Sequence, residues 1–353
     1  MICAYLRDLQ DLKFSQTIHQ KSLTLGENQI KVKHILYILA FLISLPVSSE
    51  ARGKKIYTFT ETEFILKTQT GDLSGTLCIP DKIKKSPIVL IIAGSGPTDR
   101  DGNSPLGVKA GTYKLLAESL ARNGISSCRF DKRGIARSQS AAKSESELRF
   151  ETYINDVVDF ISFLRKDKRF SSIIILGHSE GSLIGIAAAN LTNVSKVISV
   201  AGAGRPIYTV LREQLQSQVP EQLLQESDRI TDSLRAGKMV KQFNPLLLSL
   251  YRPSVQPYMI SWFKYDPAAE IKKLKIPVLI IQGATDLQTT VDDAKLLSAA
   301  KPDARLLIID KMNHILKEAD SERQKNLATY TDPNLPLKEG LTEKIVEFIK
   351  SRK

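Results

Sequence analysis

Ser179 stands in Gly177-His178-Ser179-Glu180-Gly181, between the apolar run Ile173-Ile174-Ile175-Leu176 and the small-residue stretch from Leu183 to Leu191. A strand that ends in a sharp turn and reopens as a helix is the setting in which a G-x-S-x-G serine is held out as a nucleophile. The reason for the glycines is steric. Strand and helix both crowd the backbone at such a serine, so its flanks must lack side chains, and Gly177 and Gly181 supply that clearance. Gly185, Ala187, Ala188 and Ala189 keep the following helix thin enough to lie on a sheet. The chemistry on offer is attack on a carbonyl carbon.

A serine hydroxyl attacks only when a base takes its proton, and the base needs an acid to fix its tautomer and steady its charge. The chain holds four histidines. His19 and His34 lie in the N-terminal leader region, and His178 adjoins Ser179 on the turn, where its side chain is expected to point away. That leaves His314, in Asp310-Lys311-Met312-Asn313-His314, a few residues beyond the strand-like Leu306 to Ile309. For the acid, Asp286 closes Pro277-Val278-Leu279-Ile280-Ile281-Gln282-Gly283-Ala284-Thr285-Asp286, a buried strand followed by a glycine turn and a carboxylate. Asp292 and Asp293 fall in the next helical stretch, and Asp310 follows its own strand too directly. The strand Val197 to Ala201 is followed by Gly202-Ala203-Gly204-Arg205, with no carboxylate. Acyl transfer also needs backbone donors for the developing oxyanion. The N–H of Glu180, just after the serine, is one. Ser95 N–H is the other, in Gly94-Ser95-Gly96-Pro97 after the early strand Ile88 to Ala93, with Gly96 in reserve. Asp99, Arg100 and Asp101 read as a loop-stiffening ion-pair cluster, and Arg133 as a brace between loops rather than a binder of acidic substrate.

These residues need a scaffold that gathers strand ends at one edge. From Ile56 to Pro80 the pattern alternates and turns at Gly71-Asp72, as antiparallel strands do. Thereafter continuous apolar segments (Ile88 to Ala93, Ser126 to Phe130, Ile173 to Leu176, Val197 to Ala201, Val278 to Ile281, Leu306 to Ile309) alternate with helical patterns at Tyr113 to Ala121, Phe150 to Leu164 and Ser182 to Leu191. Strands buried on both faces and separated by helices make an α/β protein with a mostly parallel, doubly wound sheet. Between Arg205 and Tyr265 the strands stop. Helical segments are expected over Gln214 to Leu234, Met239 to Tyr251 and Met259 to Phe263, giving a helical cap at 205–265 inserted into a core of 52–204 and 266–353.

At 353 residues, with 42% hydrophobic and 25% charged, the composition is globular and argues against a disordered or collagen-like chain. Residues 35–47 form an uncharged apolar run preceded by Lys31, Lys33 and His34 and followed by Ser48-Ser49-Glu50-Ala51. The run falls short of the roughly 20 residues of a membrane span and reads as a secretory signal, cleaved after Ser49 or Ala51, behind an N-terminal extension. Residues 1–51 are accordingly set apart, and a secreted or periplasmic protein is expected, or a membrane-anchored one if the segment is retained. The formal net charge is +12, and the part beyond residue 51 keeps 45 basic against 34 acidic residues. The lysines are spread out and no nucleic-acid module is visible, so a nucleic-acid partner is not expected. Only Cys78 and Cys128 lie beyond residue 51, and no Cys/His metal spacing appears; no disulfide framework, metal or cofactor is expected.

Taken together, Gly94-Ser95-Gly96-Pro97-Thr98-Asp99-Arg100-Asp101-Gly102, Phe130-Asp131-Lys132-Arg133-Gly134, Gly177-His178-Ser179-Glu180-Gly181, Gln282-Gly283-Ala284-Thr285-Asp286 and Met312-Asn313-His314 resemble the α/β-hydrolase superfamily, and within it the bacterial carboxylesterases and serine-aminopeptidase-like hydrolases. The chain order Ser179, Asp286, His314 is the order of that superfamily. The resemblance implies the α/β-hydrolase fold, a cap inserted before the acid's strand, and a two-step acyl-enzyme mechanism. One departure is that Ala93-Gly94 stands where many relatives carry His-Gly. The expected activity is hydrolysis of small carboxylic esters with short to medium acyl or aromatic groups. An aminopeptidase would need a cap acid for the substrate ammonium, for which Glu213, Glu221 and Glu226 are candidates, and a lysophospholipase would need an exposed apolar entrance. An acyltransferase would use the same triad. A non-catalytic binding protein would normally lack a triad member, and a haloalkane dehalogenase would carry Asp at the Ser179 position.

Overall fold

In the computed structural model, residues 55–216 and 218–351 are described. The extension, the apolar run and the expected cleavage positions lie outside these residues. Among the described residues no helix is long and apolar enough to cross a membrane.

The chain opens with a hairpin of β1 (Phe59–Thr68) and β2 (Gly71–Pro80), then enters β3 (Ser86–Ile92). A long loop with the two short strands β4 (Asn103–Ser104) and β5 (Val108–Lys109) leads to α1 (Thr112–Arg122) and β6 (Ser126–Phe130). There follow α2 (Phe150–Arg165), β7 (Phe170–His178), α3 (Glu180–Leu191) and β8 (Lys196–Val200). The helices α4 (Ile207–Gln216), α5 (Glu221–Arg235), α6 (Leu248–Tyr251), α7 (Gln256–Trp262) and α8 (Pro267–Lys272) come next. The chain closes with β9 (Val278–Gly283), α9 (Val291–Ala300), β10 (Arg305–Ile309), α10 (Arg323–Ala328) and α11 (Leu341–Lys350).

Eight strands form one sheet in the order β1-β2-β6-β3-β7-β8-β9-β10. β1 and β2 are antiparallel to each other and β2 to β6; the rest of the sheet is parallel. The continuous apolar strands other than β10 are explained by burial on both faces; β10, expected to be buried likewise, is the edge strand of the sheet and leaves Leu306 and Ile308 exposed. Ile88, Leu90 and Ile92 pack on one side with Phe150, Val157 and Phe160 of α2 and Ile184 of α3, whereas Val89 and Ile91 pack on the other with Leu116 and Leu120 of α1 and Ile345 and Phe348 of α11. From β3 the chain moves outward to β6, then crosses back over β3 to β7 and continues the other way. The strand order therefore reverses between β3 and β7, and the crevice beyond the carboxyl ends of such strands is where open α/β sheets place their ligands.

The inserted region is helical but differs from the expected pattern in two places. The helix expected over 214–234 is two helices, because Pro220 caps the second and cannot sit inside one continuous helix. The helix expected from Met239 to Tyr251 is present only in its second half: residues 238–244 carry no helix, and the helical part is the 3-10 turn Pro245–Leu247 and the short α6. Pro245 stops a helix from running through. The buried Gln256 side chain also accepts from Val240 N (2.8 Å) and donates to Val240 O (2.7 Å), occupying the backbone groups that a helix would use. Trp262 stacks on Phe150 at 5.6 Å, and the Arg252 guanidinium is paired with Glu145, which joins the insertion to the start of α2 and the loop before it.

Candidate active site

Ser179 sits between β7 and α3 with φ 55° and ψ −122°, a conformation rare for a residue with a side chain, held by the elements on either side. The enclosure is tight. A Cβ on Gly177 would lie 2.1 Å from Gly181 O, and one on Gly181 would lie 2.4 Å from Ile92 O. These are backbone atoms and cannot yield, so the two glycines are required by close approach of three chain segments. The Ser179 hydroxyl makes no hydrogen bond among the described residues, and contacts of this kind often tighten only once substrate is bound.

Asp286 and His314 come together at the ends of β9 and β10, with His314 Nδ1 2.8 Å from Asp286 Oδ2. The Asp286 side chain is fully buried. Its Oδ1 accepts from the N–H groups of Gln288 (2.7 Å) and Thr289 (3.2 Å), and its Oδ2 accepts from Thr289 Oγ1 (3.0 Å) and Gln282 Nε2 (3.1 Å). Burial alone would push this carboxyl up, but the His314 ring and these donors together hold it below the usual carboxylate range. A carboxylate on Nδ1–H leaves His314 Nε2 as the basic nitrogen. Ser179, His314, His178, Ser95 and Gly94 line one cavity of about 110 Å³ with Leu106, Ile315 and Leu327. A larger cavity of about 530 Å³ adjoins it at Ser95, Pro97 and Leu106 and reaches Leu211, Leu250, Met259 and Trp262 of the insertion.

His178 is placed otherwise than its position on the turn suggests. It turns inward, is buried, and lies with its ring centroid 4.8 Å from that of His314. Its Nε2 is 2.7 Å from His314 O and its Nδ1 2.8 Å from the Tyr113 hydroxyl, whose oxygen accepts from Gly94 N (2.9 Å). A carbonyl only accepts, so Nε2 carries the proton and Nδ1 accepts from Tyr113. Burial and the neighbouring His314 push the His178 pKa down to about 3. Folded His178 is neutral while the unfolded residue titrates near 6.5, so its contribution is fully present above pH 6.5 and is lost as pH falls toward about 3. Thermal unfolding between pH 6.5 and 5 should lose up to about 1.4 kcal/mol per pH unit through this residue, and His178→Gln should flatten that slope. An unchanged slope in the variant would show that the neutral imidazole is not the group responsible.

Arg100 and Arg133 brace their loops, but Asp99, Arg100 and Asp101 do not form the expected ion pairs with one another: Asp101 pairs with Arg129, and Asp99 accepts from the N–H groups of Asp101 and Asn103. Arg100 is buried and donates to Asp131 through both Nε (3.1 Å) and Nη2 (2.7 Å), and Arg133 pairs with Asp156 at 2.6 Å. Asp293, at the first turn of α9, pairs with Arg205, away from His314. Sequence reasoning missed Tyr113, Gln282, Thr289, Lys132 and the side chain of Glu180. Lys132 Nζ lies 3.2 Å from Glu180 Oε2, both side chains 3% exposed, and the Tyr258 hydroxyl donates to Glu180 Oε1 at 2.6 Å. Burial and the Glu180 carboxylate raise the Tyr258 pKa well above its ordinary value, which keeps it a donor. Only the motif Asp131-Lys132-Arg133-Gly134 hinted at this cluster, and the sequence does not show that its lysine turns inward.

Comparison with known proteins follows the same lines. A family model described as serine aminopeptidase, S33, matches residues 106–320. The chain is 27% identical over 257 residues to Esterase EstD of Thermotoga maritima, a match covering 69% of this chain and 58% of that protein, so the chain spans less than two thirds of that relative's length. Among solved structures, Est1E from Butyrivibrio proteoclasticus superposes with a TM-score of 0.53 at 16% identity, covering 82% of this chain and 99% of that one. The Pyrococcus furiosus esterase Pf2001 gives a TM-score of 0.51 at 14% identity, covering 83% and 92%. These likenesses establish the α/β-hydrolase architecture.

Proposed function

The chain belongs to the serine aminopeptidase, S33, family of α/β hydrolases, and from that premise we propose that it hydrolyses carboxylic esters, with Ser179 as nucleophile, His314 as general base and Asp286 as the acid that orients it. In this reading Ser179 Oγ attacks the ester carbonyl while its proton passes to His314 Nε2. The N–H groups of Ser95 and Glu180 receive the oxyanion. Collapse of the tetrahedral species expels the alcohol, which leaves with the proton from His314. His314 then deprotonates a water that attacks the acyl group, and the acid departs as Ser179 regains its proton.

The observation that carries ester over aminoacyl substrate is the charge pairing around the larger cavity. Its lysine is matched by Glu180, its Arg133 by Asp156, and its Glu145 by Arg252. A free N-terminal ammonium would need an uncommitted carboxylate there. Glu213 is paired with Arg205, the exposed Glu221 accepts from Gln225, and Glu226 accepts from Asn244 N; none of the three lines a cavity with Ser179. The walls from Leu148, Leu211, Leu250, Val255 and Met259 suit a neutral apolar or aromatic group. Esterase activity in the Thermotoga maritima relative supports the same choice. Secretion through the apolar segment at 35–47 is part of this proposal and is read by the N-terminal mass of the exported protein.

Initial rates on 4-nitrophenyl butyrate and on alanine 4-nitroanilide decide between the two readings. The expected result is turnover of the ester without detectable release from the anilide, with ester rates falling off at long acyl chains. Comparable efficiency on the anilide would establish the aminopeptidase reading instead.

A further inference from the structure

Gly94 is clamped at both ends. Its N–H donates to the Tyr113 oxygen at 2.9 Å, and its carbonyl accepts a 2.6 Å hydrogen bond from Lys132 Nζ. Lys132 follows β6 and is 3% exposed, a costly place for a cation unless it is paired and hydrogen-bonded. Its second acceptor is Glu180 Oε2 at 3.2 Å, and the other oxygen of that carboxylate takes the Tyr258 hydroxyl from α7 at 2.6 Å. One chain of contacts thus runs from the helical insertion to the loop after β3.

The Gly94 carbonyl and the Ser95 N–H belong to the same peptide unit, and in a planar trans peptide they point in opposite directions. An ammonium fixed on the carbonyl therefore fixes the direction of the N–H. It also draws electron density toward the oxygen, which makes the N–H a stronger donor. Gly94 lies against the serine, since a Cβ placed on it would be 3.2 Å from Ser179 Cβ. Ser95 itself borders both cavities described above.

We propose that Lys132 is a positioning residue for the oxyanion site: anchored by Glu180 and Tyr258, it aims the Ser95 N–H at the oxygen that becomes charged when Ser179 attacks. The seating of the insertion and the strength of the oxyanion donor are then set by one hydrogen-bond chain. This rests on the hydrolase reading of Ser179 given above.

Full-length Lys132→Met retains the aliphatic stem and removes the ammonium. Its kcat on 4-nitrophenyl butyrate should fall on the order of 10²-fold, the effect of losing one oxyanion donor, with KM little changed. Inhibition by a trifluoromethyl ketone, which forms a tetrahedral oxyanion on the serine, should weaken by a similar factor, whereas inhibition by the product butyrate should not move. A purely structural lysine would lower thermal stability without separating the two inhibitors. Tyr258→Phe, which removes one hydroxyl at the far end of the chain, should shift kcat and ketone affinity in the same direction by about tenfold. Wild-type kcat and ketone affinity in folded Lys132→Met overturn the proposal. If that variant is not recovered folded, wild-type values in Tyr258→Phe overturn it. Retained turnover in Ser179→Ala overturns the hydrolase reading itself, a failure separate from that of Lys132.

Discussion

Asp286→Asn should lower kcat for ester hydrolysis by about 10⁴ while the protein still folds. The direction of the amide is forced by its surroundings. Oδ1 receives two backbone N–H groups, from Gln288 and Thr289, so the asparagine oxygen must occupy that position. The NH₂ is left where Oδ2 stood, facing His314 Nδ1, Gln282 Nε2 and Thr289 Oγ1. It then donates to Nδ1, places the imidazole proton on Nε2, and denies Ser179 its base. The Thr289 hydroxyl can rotate to accept, but the Gln282 amide cannot, so a loss of stability on the order of 1–3 kcal/mol should accompany the loss of rate. Steady-state kinetics beside thermal unfolding separates the two effects. Combining Asp286→Asn with Ser179→Ala should cost no more than Ser179→Ala alone, because a triad acts as a unit. An Asp286→Asn enzyme within tenfold of wild type would remove Asp286 from the site.

The second large effect is on the turn that carries the serine. Gly177→Ala would place its methyl 2.1 Å from Gly181 O, 2.5 Å from Gly181 C and 2.6 Å from Ser182 Cα, all of them backbone atoms at the start of α3. Relief requires β7 and α3 to part, and α3 is buried along nearly its whole length. A destabilisation above about 4 kcal/mol is expected, together with loss of activity in whatever protein remains folded. Gly237→Ala is the control. Gly237 has φ 75° with open space around the added methyl, and its substitution should cost only about 1–2 kcal/mol. Denaturant midpoints for the two variants measure the difference, and similar midpoints would mean that the turn is looser than its contacts imply.

The features legible in the sequence are those written in local patterns. The run Ile173 to Leu176 before a glycine-flanked serine announces strand, turn and helix, and β3, β7, β8 and β9 read as continuous apolar segments because the sheet is covered on both faces there, whereas the equally apolar β10 is a partly exposed edge strand. His314 emerged by elimination among four histidines, and Asp286 because its strand ends in a glycine turn. What stayed hidden depends on which way a side chain turns once distant segments meet. His178, Tyr113 and Gly94 are joined only when β3, α1 and β7 assemble, and Lys132 reads as an ordinary loop lysine until Gly94 O and Glu180 close around it. The insertion was the least legible part. Helical periodicity from Met239 onward says nothing of a glutamine 16 residues from Val240 that captures its backbone groups.

Reaction of the protein with a fluorophosphonate ester, with the modified peptide mapped by mass spectrometry, reads whether Ser179 is an activated nucleophile. One adduct per chain is expected, on Ser179, absent in Ser179→Ala and formed far more slowly in His314→Ala. A folded protein that takes no label, or takes it at a residue other than Ser179, would contradict that role.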